Sequence, residues 1–183
     1  EGRPTMLSYA VMLAPLGFVM FLSFRINQMS ERGAQLAFWA FATVMGLSMF
    51  YIFAAYTGTS IARVFFITAG TFGSMSLFGY TTKRDLTGFG SFLMMGVVGV
   101  IIASIVNIFM QSTGLQMAIS VIGVLLFTGL TAYDTQRIKA MYYQVGANSG
   151  ALGKASIMGA LTLYLDFINL FMMLLQLFGQ RRE

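Results

Sequence analysis

The feature that most restricts this chain is a series of apolar runs, each close to the length that crosses a bilayer. A helix needs about 20 predominantly apolar residues to span the hydrocarbon core. Six stretches meet or approach that length, at roughly 7–24, 36–56, 61–80, 89–110, 115–133 and 155–178. The connections at 57–60 and 111–114 are so short that neighbouring helices must run antiparallel. Residues 1–183 are therefore expected to form one all-α, polytopic transmembrane bundle. Pro15 predicts a kink in the first span. The fifth helix is expected to continue past its span to about residue 144, where Gly146, Asn148 and Gly150 break it.

Composition agrees with a lipid-facing exterior. The chain is 57% hydrophobic and 9% charged, with a mean hydropathy of +0.78, whereas a soluble domain carries about 25% charged residues. There is no Cys and no His, which excludes disulfides, thiolate nucleophiles, haem histidines, the usual zinc sites and His-based triads. No nucleophile–base set or metal cluster stands out, so an enzyme is the least expected class and no cofactor is expected. The net charge of +5 is spread over short loops, which is the pattern of membrane orientation signals and not of a nucleic-acid-binding patch.

Lys and Arg also give a sidedness. Arg25, Arg32, Lys83, Arg84, Arg137, Lys139 and Lys154 follow the first, third and fifth spans, while Arg3, Arg63, Arg181 and Arg182 fall on the other side. The larger set is expected to be cytoplasmic. The chain starts at Glu1 without an initiator Met, so a preceding segment is expected. Small residues four apart (Ala42 and Gly46, Ala69 and Gly73, Gly99 and Ala103, Ala155 and Gly159) are expected to support close helix packing.

Among six acidic residues, two lie within apolar sequence. Asp166 is near the middle of the last span, and Asp134 closes the fifth. A carboxylate at bilayer depth costs on the order of 3 kcal/mol on insertion scales, so such a group faces the bundle interior, a partner or a water-filled path. Asp134 lies about ten residues before Gln144, and Asp166 about eleven after Ala155, which is roughly 15 Å on each arm. An antiparallel pair would thus place both acids at similar depth. Two carboxylates that share a water-poor site compete for a proton and titrate as a unit. Such a pair can act as a proton-controlled latch. Arg25 is a candidate charge partner for its deprotonated form, and Asn169, three residues past Asp166, is a candidate hydrogen-bonding neighbour.

The segment 163–171, followed by an apolar run and a short tail, resembles the terminal signature of the Bax inhibitor-1 (TMBIM) family. Ala132-Tyr133-Asp134-Thr135-Gln136 with Ile138-Lys139 resembles that family's penultimate-helix motif, and Gly79-Tyr80-Thr81-Thr82-Lys83-Arg84-Asp85-Leu86 its middle loop. The likeness extends over essentially the whole chain and is closest to bacterial members. It implies a seven-helix fold with the last helix central, of which six spans are visible here. It also implies a multi-pass protein of the bacterial inner (plasma) membrane, with the family's paired aspartates on Asp134 and Asp166. Some members carry an acid in the segment corresponding to 7–24, where this sequence has none.

The family is associated with pH-sensitive calcium leak, and its eukaryotic members with suppression of cell death. The function expected here is accordingly a pH-gated calcium leak whose partners are the lipid bilayer, calcium ions and protons. Asp134 and Asp166 would hold calcium weakly and transiently, because two carboxylates supply too few oxygens for a cage of six to eight ligands. The alternatives are a proton-coupled secondary transporter, or a membrane interaction protein that modulates another complex.

Overall fold

A computed structural model of the chain describes Arg25 and residues 28–145 and 149–182. The expected first span at 7–24, with Pro15, lies outside these residues. The described part holds α1 (Glu31–Ser48), α2 (Tyr51–Ala55), α3 (Gly58–Thr81), α4 (Thr87–Met110), α5 (Thr113–Val145) and α6 (Ser149–Phe178). With α1 and α2 taken as one stretch, five helical segments are long and apolar enough to cross a membrane. The only pairing of extended backbone among the described residues is one antiparallel bridge between Tyr56 and Arg181.

The helices begin earlier than the apolar runs that announced them, because a first helical turn is polar and self-capped. The Ser30 hydroxyl accepts from the Gly33 N–H at 3.1 Å, and the Thr57 hydroxyl from Ser60 N–H at 3.4 Å, each satisfying an otherwise orphaned donor. The run expected as one span at 36–56 is two helices. At the junction the Phe50 N–H turns back to Leu47 O at 3.2 Å, and the Ser48 hydroxyl competes for Met45 O at 2.8 Å. This tightens the last turn of α1 and ends it. The α4–α5 turn is closed by Asn107, whose side-chain oxygen accepts from Ser112 N–H at 3.0 Å, with Gln111 in the left-handed region at φ 49°.

The antiparallel pair α5–α6 forms the core, with α3 and α4 against α5, α3 also against α6, and α1 against α6. Val64, Leu93, Leu126, Leu130, Leu170 and Leu175 are buried where these helices meet. A smaller cluster joins Phe41 of α1 to Leu161 of α6. Half of the most apolar window of α5 is buried, against a third for α6 and about a tenth for each of the others. The family resemblance puts the last helix at the centre; among the described residues it shares that place with α5. Phe66, Phe92, Ile108 and Phe109 are exposed on the outer faces, as helices surrounded by lipid require.

Three of the glycines expected to allow close packing, Gly46, Gly73 and Gly99, have open space beside them; of the four, Gly159 alone faces another helix, with Ile138 3.1 Å from a would-be Cβ. The tight approaches are elsewhere. A Cβ on Gly79 of α3 would collide with the Ala132 main chain, 2.8 Å from its Cα, and one on Gly90 of α4 would strike the Tyr133 ring, 2.6 Å from Cγ. Two helices thus close on consecutive residues of α5, immediately before Asp134.

The two ends of the bundle are distinct. Residues after α6 return to the α2–α3 junction, where Thr57 N–H donates to Gln180 O at 3.0 Å and Arg182 N–H to Ala55 O at 3.0 Å. Arg63, Arg181 and Arg182 therefore lie at one end. Arg32, Lys83, Arg84, Arg137, Lys139 and Lys154 lie toward the other, by the alternation of α1 through α6.

Candidate functional site

Asp134 on α5 and Asp166 on α6 are brought together. Their carboxyl groups meet within hydrogen-bonding distance across the antiparallel pair. Both are buried, with 7% and 6% of their surfaces exposed. Oδ2 of Asp166 is sealed from solvent, and no N–H or O–H donor reaches it. The two threonine hydroxyls flanking Asp134 are occupied: Thr131 donates to Phe127 O and Thr135 to Thr131 O, each at 2.7 Å. These are bonds within the helix, and the carboxyl of Asp134 is the side-chain group that acts on Asp166 most closely.

The surroundings fix this stretch of α5. Ser76 and Thr135 share a hydrogen bond of 3.0 Å between α3 and α5. The Gln136 side chain binds the α3–α4 loop twice, accepting from Leu86 N–H at 2.9 Å and donating to Arg84 O at 2.7 Å. The Lys139 ammonium donates to Tyr80 O at 2.7 Å and lies 4.5 Å from the centre of the Tyr80 ring. It thereby satisfies a carbonyl at the C-terminus of α3, where a cation is favoured.

Arg25 is not brought to the pair. It is exposed and donates to Gln28 at 3.0 Å. The guanidinium whose charge acts on Asp134 belongs to Arg137, one turn further along α5, and it forms no ion pair with the acid. Asn169 donates to Leu165 O of its own helix at 2.9 Å and makes no hydrogen bond to either aspartate. No group of three or more metal-ligating side chains occurs among the described residues, so the pair offers at most four carboxylate oxygens to a cation.

In the α3–α4 loop the Asp85 carboxylate accepts from the Thr87 hydroxyl at 2.6 Å and from its backbone N–H at 2.9 Å. The hydroxyl first, and the N–H second, hold Asp85 below the ordinary carboxylate range. This acid anchors the start of α4 and is separate from the buried pair.

Sequence reasoning did not find Gly79, Gly90, Gln136 or Arg137 as parts of the site. Gln136 binds main-chain atoms some 50 residues earlier, which no local pattern reports; Arg137 stands three residues past Asp134 on one helix, a spacing that could have found it.

A bundle of membrane-length helices, with two buried acids meeting between its two most buried members, defines a polytopic integral membrane protein. The chain belongs to the Bax inhibitor-1 family: a family model described as Inhibitor of apoptosis-promoting Bax1 matches residues 2–183. It is similar to an uncharacterized protein of Rickettsia prowazekii, 51% identical over 173 residues that cover 94% of this chain and 73% of the relative. It is 50% identical to a protein of Caulobacter vibrioides over 179 residues, 98% of this chain and 72% of that one. It is also 50% identical to the inner membrane protein YbhL of Escherichia coli K12 over 173 residues, covering 94% and 74%. The chain is a multi-pass protein of the bacterial inner membrane.

Proposed function

We propose that this protein is a calcium leak of the inner membrane, gated by proton exchange on the Asp134–Asp166 pair and without catalytic activity. The observation that supports the reading most is the contact between two buried carboxyls on neighbouring helices, one of which has a sealed oxygen that no N–H or O–H donor reaches. While the pair holds a proton in common, it joins α5 to α6. When that proton leaves, two like charges face each other; at 4 Å and an effective dielectric of 20 such charges interact by about 4 kcal/mol. The force between the two central helices therefore changes sign with one proton.

A cation meeting the pair finds negative charge but few oxygens. Calcium takes six to eight oxygen ligands, so two carboxylates bind it weakly and release it, as conduction requires.

The test is calcium flux into dye-loaded proteoliposomes across a series of pH values, for the wild type, Asp134→Asn and Asp166→Asn. The wild-type flux is expected to change steeply over the interval in which the pair exchanges its proton, and each variant, left with one titrating acid, to lose that step. Both variants retaining the wild-type pH dependence would refute gating by the pair. Net uphill movement of a solute driven by an imposed proton gradient would show a transporter instead. No flux from any folded, reconstituted protein would overturn the leak itself.

A further inference from the structure

At the end of the bundle that carries most of the cations, an open cleft of about 450 Å³ lies between the α3–α4 loop and the last turns of α5. Lys83 and Arg84 line it from the loop, and Arg137 lines it from α5. Among the described residues Lys83 and Arg84 form no ion pair, and the Arg137 charge reaches Asp134 without a direct bond. The one acid in the cleft, Asp85, is committed to Thr87 through Oδ1. Three cations thus converge on a space containing a single, already bonded carboxylate.

The cleft is built rather than incidental to a loose loop. Gln136 holds the loop main chain on both sides of Asp85, at Arg84 O and Leu86 N. Gly90 lets the Tyr133 ring lie against α4, where it forms part of the cleft wall. The loop joins the ends of two membrane-length helices, α3 and α4, so the cleft opens at the depth of lipid headgroups. There an anionic headgroup is the concentrated anion, and basic pockets beside membrane helices are suited to it. Guanidinium groups match phosphate oxygens in geometry as well as charge.

We propose that this cleft binds the phosphate of an anionic phospholipid headgroup, held by Lys83, Arg84 and Arg137. The inference does not depend on calcium conduction.

The experiment is native mass spectrometry of the protein released from nanodiscs of mixed phosphatidylglycerol and phosphatidylcholine. Wild type is compared with the double variant Lys83→Gln/Arg84→Gln and with a control, Arg181→Gln/Arg182→Gln, at the opposite end. Thermal unfolding of each protein checks that it is folded. Wild type and the control are expected to retain phosphatidylglycerol in preference to phosphatidylcholine. The loop variant is expected to retain less by roughly 25-fold, since each of its two lost basic residues contributes roughly fivefold at an anionic surface. Equal loss in the control, or equal retention in the folded loop variant, would overturn the site. A further arm adds millimolar inorganic phosphate. Displacement of the lipid by phosphate alone would assign the cleft to a soluble phosphate and overturn the lipid as its occupant; retention supports the lipid. Should the double variant not fold, Arg137→Gln carries the same comparison.

Discussion

Gly79→Ala is a small change whose consequence can be worked from the contact between α3 and α5. The added Cβ would lie 2.8 Å from both Cα and C of Ala132 and would overlap its carbonyl oxygen. Carbon atoms pack favourably at about 3.5–4.0 Å, so the helices must part by roughly 1 Å. The obstacle is backbone and has no rotamer to change. Overpacking of this kind costs about 1–3 kcal/mol. The same separation stretches the Ser76–Thr135 bond from 3.0 Å beyond useful range, and interhelical bonds of this type average about 0.6 kcal/mol in membranes. Replacing Gly by Ala in a helix returns up to about 1 kcal/mol of propensity, so the net loss is about 2 kcal/mol. Gly73→Ala, six residues earlier on the same helix with nothing within 4 Å, isolates the propensity effect and should be neutral or stabilising. Equilibrium unfolding in mixed detergent micelles measures both. Stability of Gly79→Ala equal to that of Gly73→Ala would refute the claim that α3 rests on the Ala132 main chain.

Three other outcomes follow from the same geometry. Asp85 has a folded-state pKa held below the ordinary carboxylate value by Thr87, so its contribution to stability is present above about pH 4 and is lost as pH falls through the lowered value. Thr87→Val removes the hydroxyl bond and should move the Asp85 titration upward; an unmoved midpoint in a carboxyl-detected NMR titration would count against this anchor. Gln136→Leu deletes both ties to the α3–α4 loop and should cost about 1–2 kcal/mol, with faster hydrogen exchange at the Leu86 amide; unchanged exchange there would show that the loop holds itself. Asp166→Leu leaves Asp134 buried without its partner and should destabilise by about 1–3 kcal/mol, whereas Asp166→Asn keeps a donor and should cost less, an ordering that thermal unfolding can reverse or uphold.

The parts legible in the sequence are those governed by hydropathy and by cost. Apolar runs locate α3 to α6, with α6 starting six residues before its run and the others two or three before theirs, because the bilayer sets a length and polar residues mark where it stops. Asp134 and Asp166 stood out because an acid in apolar sequence is expensive wherever it points. What escaped was set by surfaces meeting. The break after Ser48 depends on a hydroxyl competing for one carbonyl, in a stretch whose hydropathy does not change. Spacing chose Gly46, Gly73 and Gly99, which face open space, over Gly79 and Gly90, which carry the contacts; a four-residue interval says that a helix has a small-residue face but not which neighbour it meets. Arg25 was a reasonable partner by charge alone. Arg137, three residues past Asp134 on a helix expected to continue to about residue 144, is the cation whose charge reaches it.

Residues 132 to 137 of α5 form a single mechanical unit, and this bears on how a proton could have a wider effect. Ala132 is gripped by α3 at Gly79, Tyr133 by α4 at Gly90, and Asp134 by α6 at Asp166. Thr135 then bonds Ser76, Gln136 holds the loop, and Arg137 faces the cleft. Less than two helical turns, about 8 Å of rise, thus touch α3, α4, α6 and the α3–α4 loop, leaving only α1 and α2 of the described helices untouched. A closely packed interior shifts between discrete arrangements and does not deform smoothly, so α5 cannot yield to a charge at Asp134 without moving at least one of these contacts. Loosening Gly79 or Gln136 should therefore alter the pH at which Asp134 and Asp166 exchange their proton, although neither residue touches it. If Gly79→Ala and Gln136→Leu both weaken the fold yet leave the pH profile of flux where it was, the acid pair works locally and the surrounding clamp is scaffold alone.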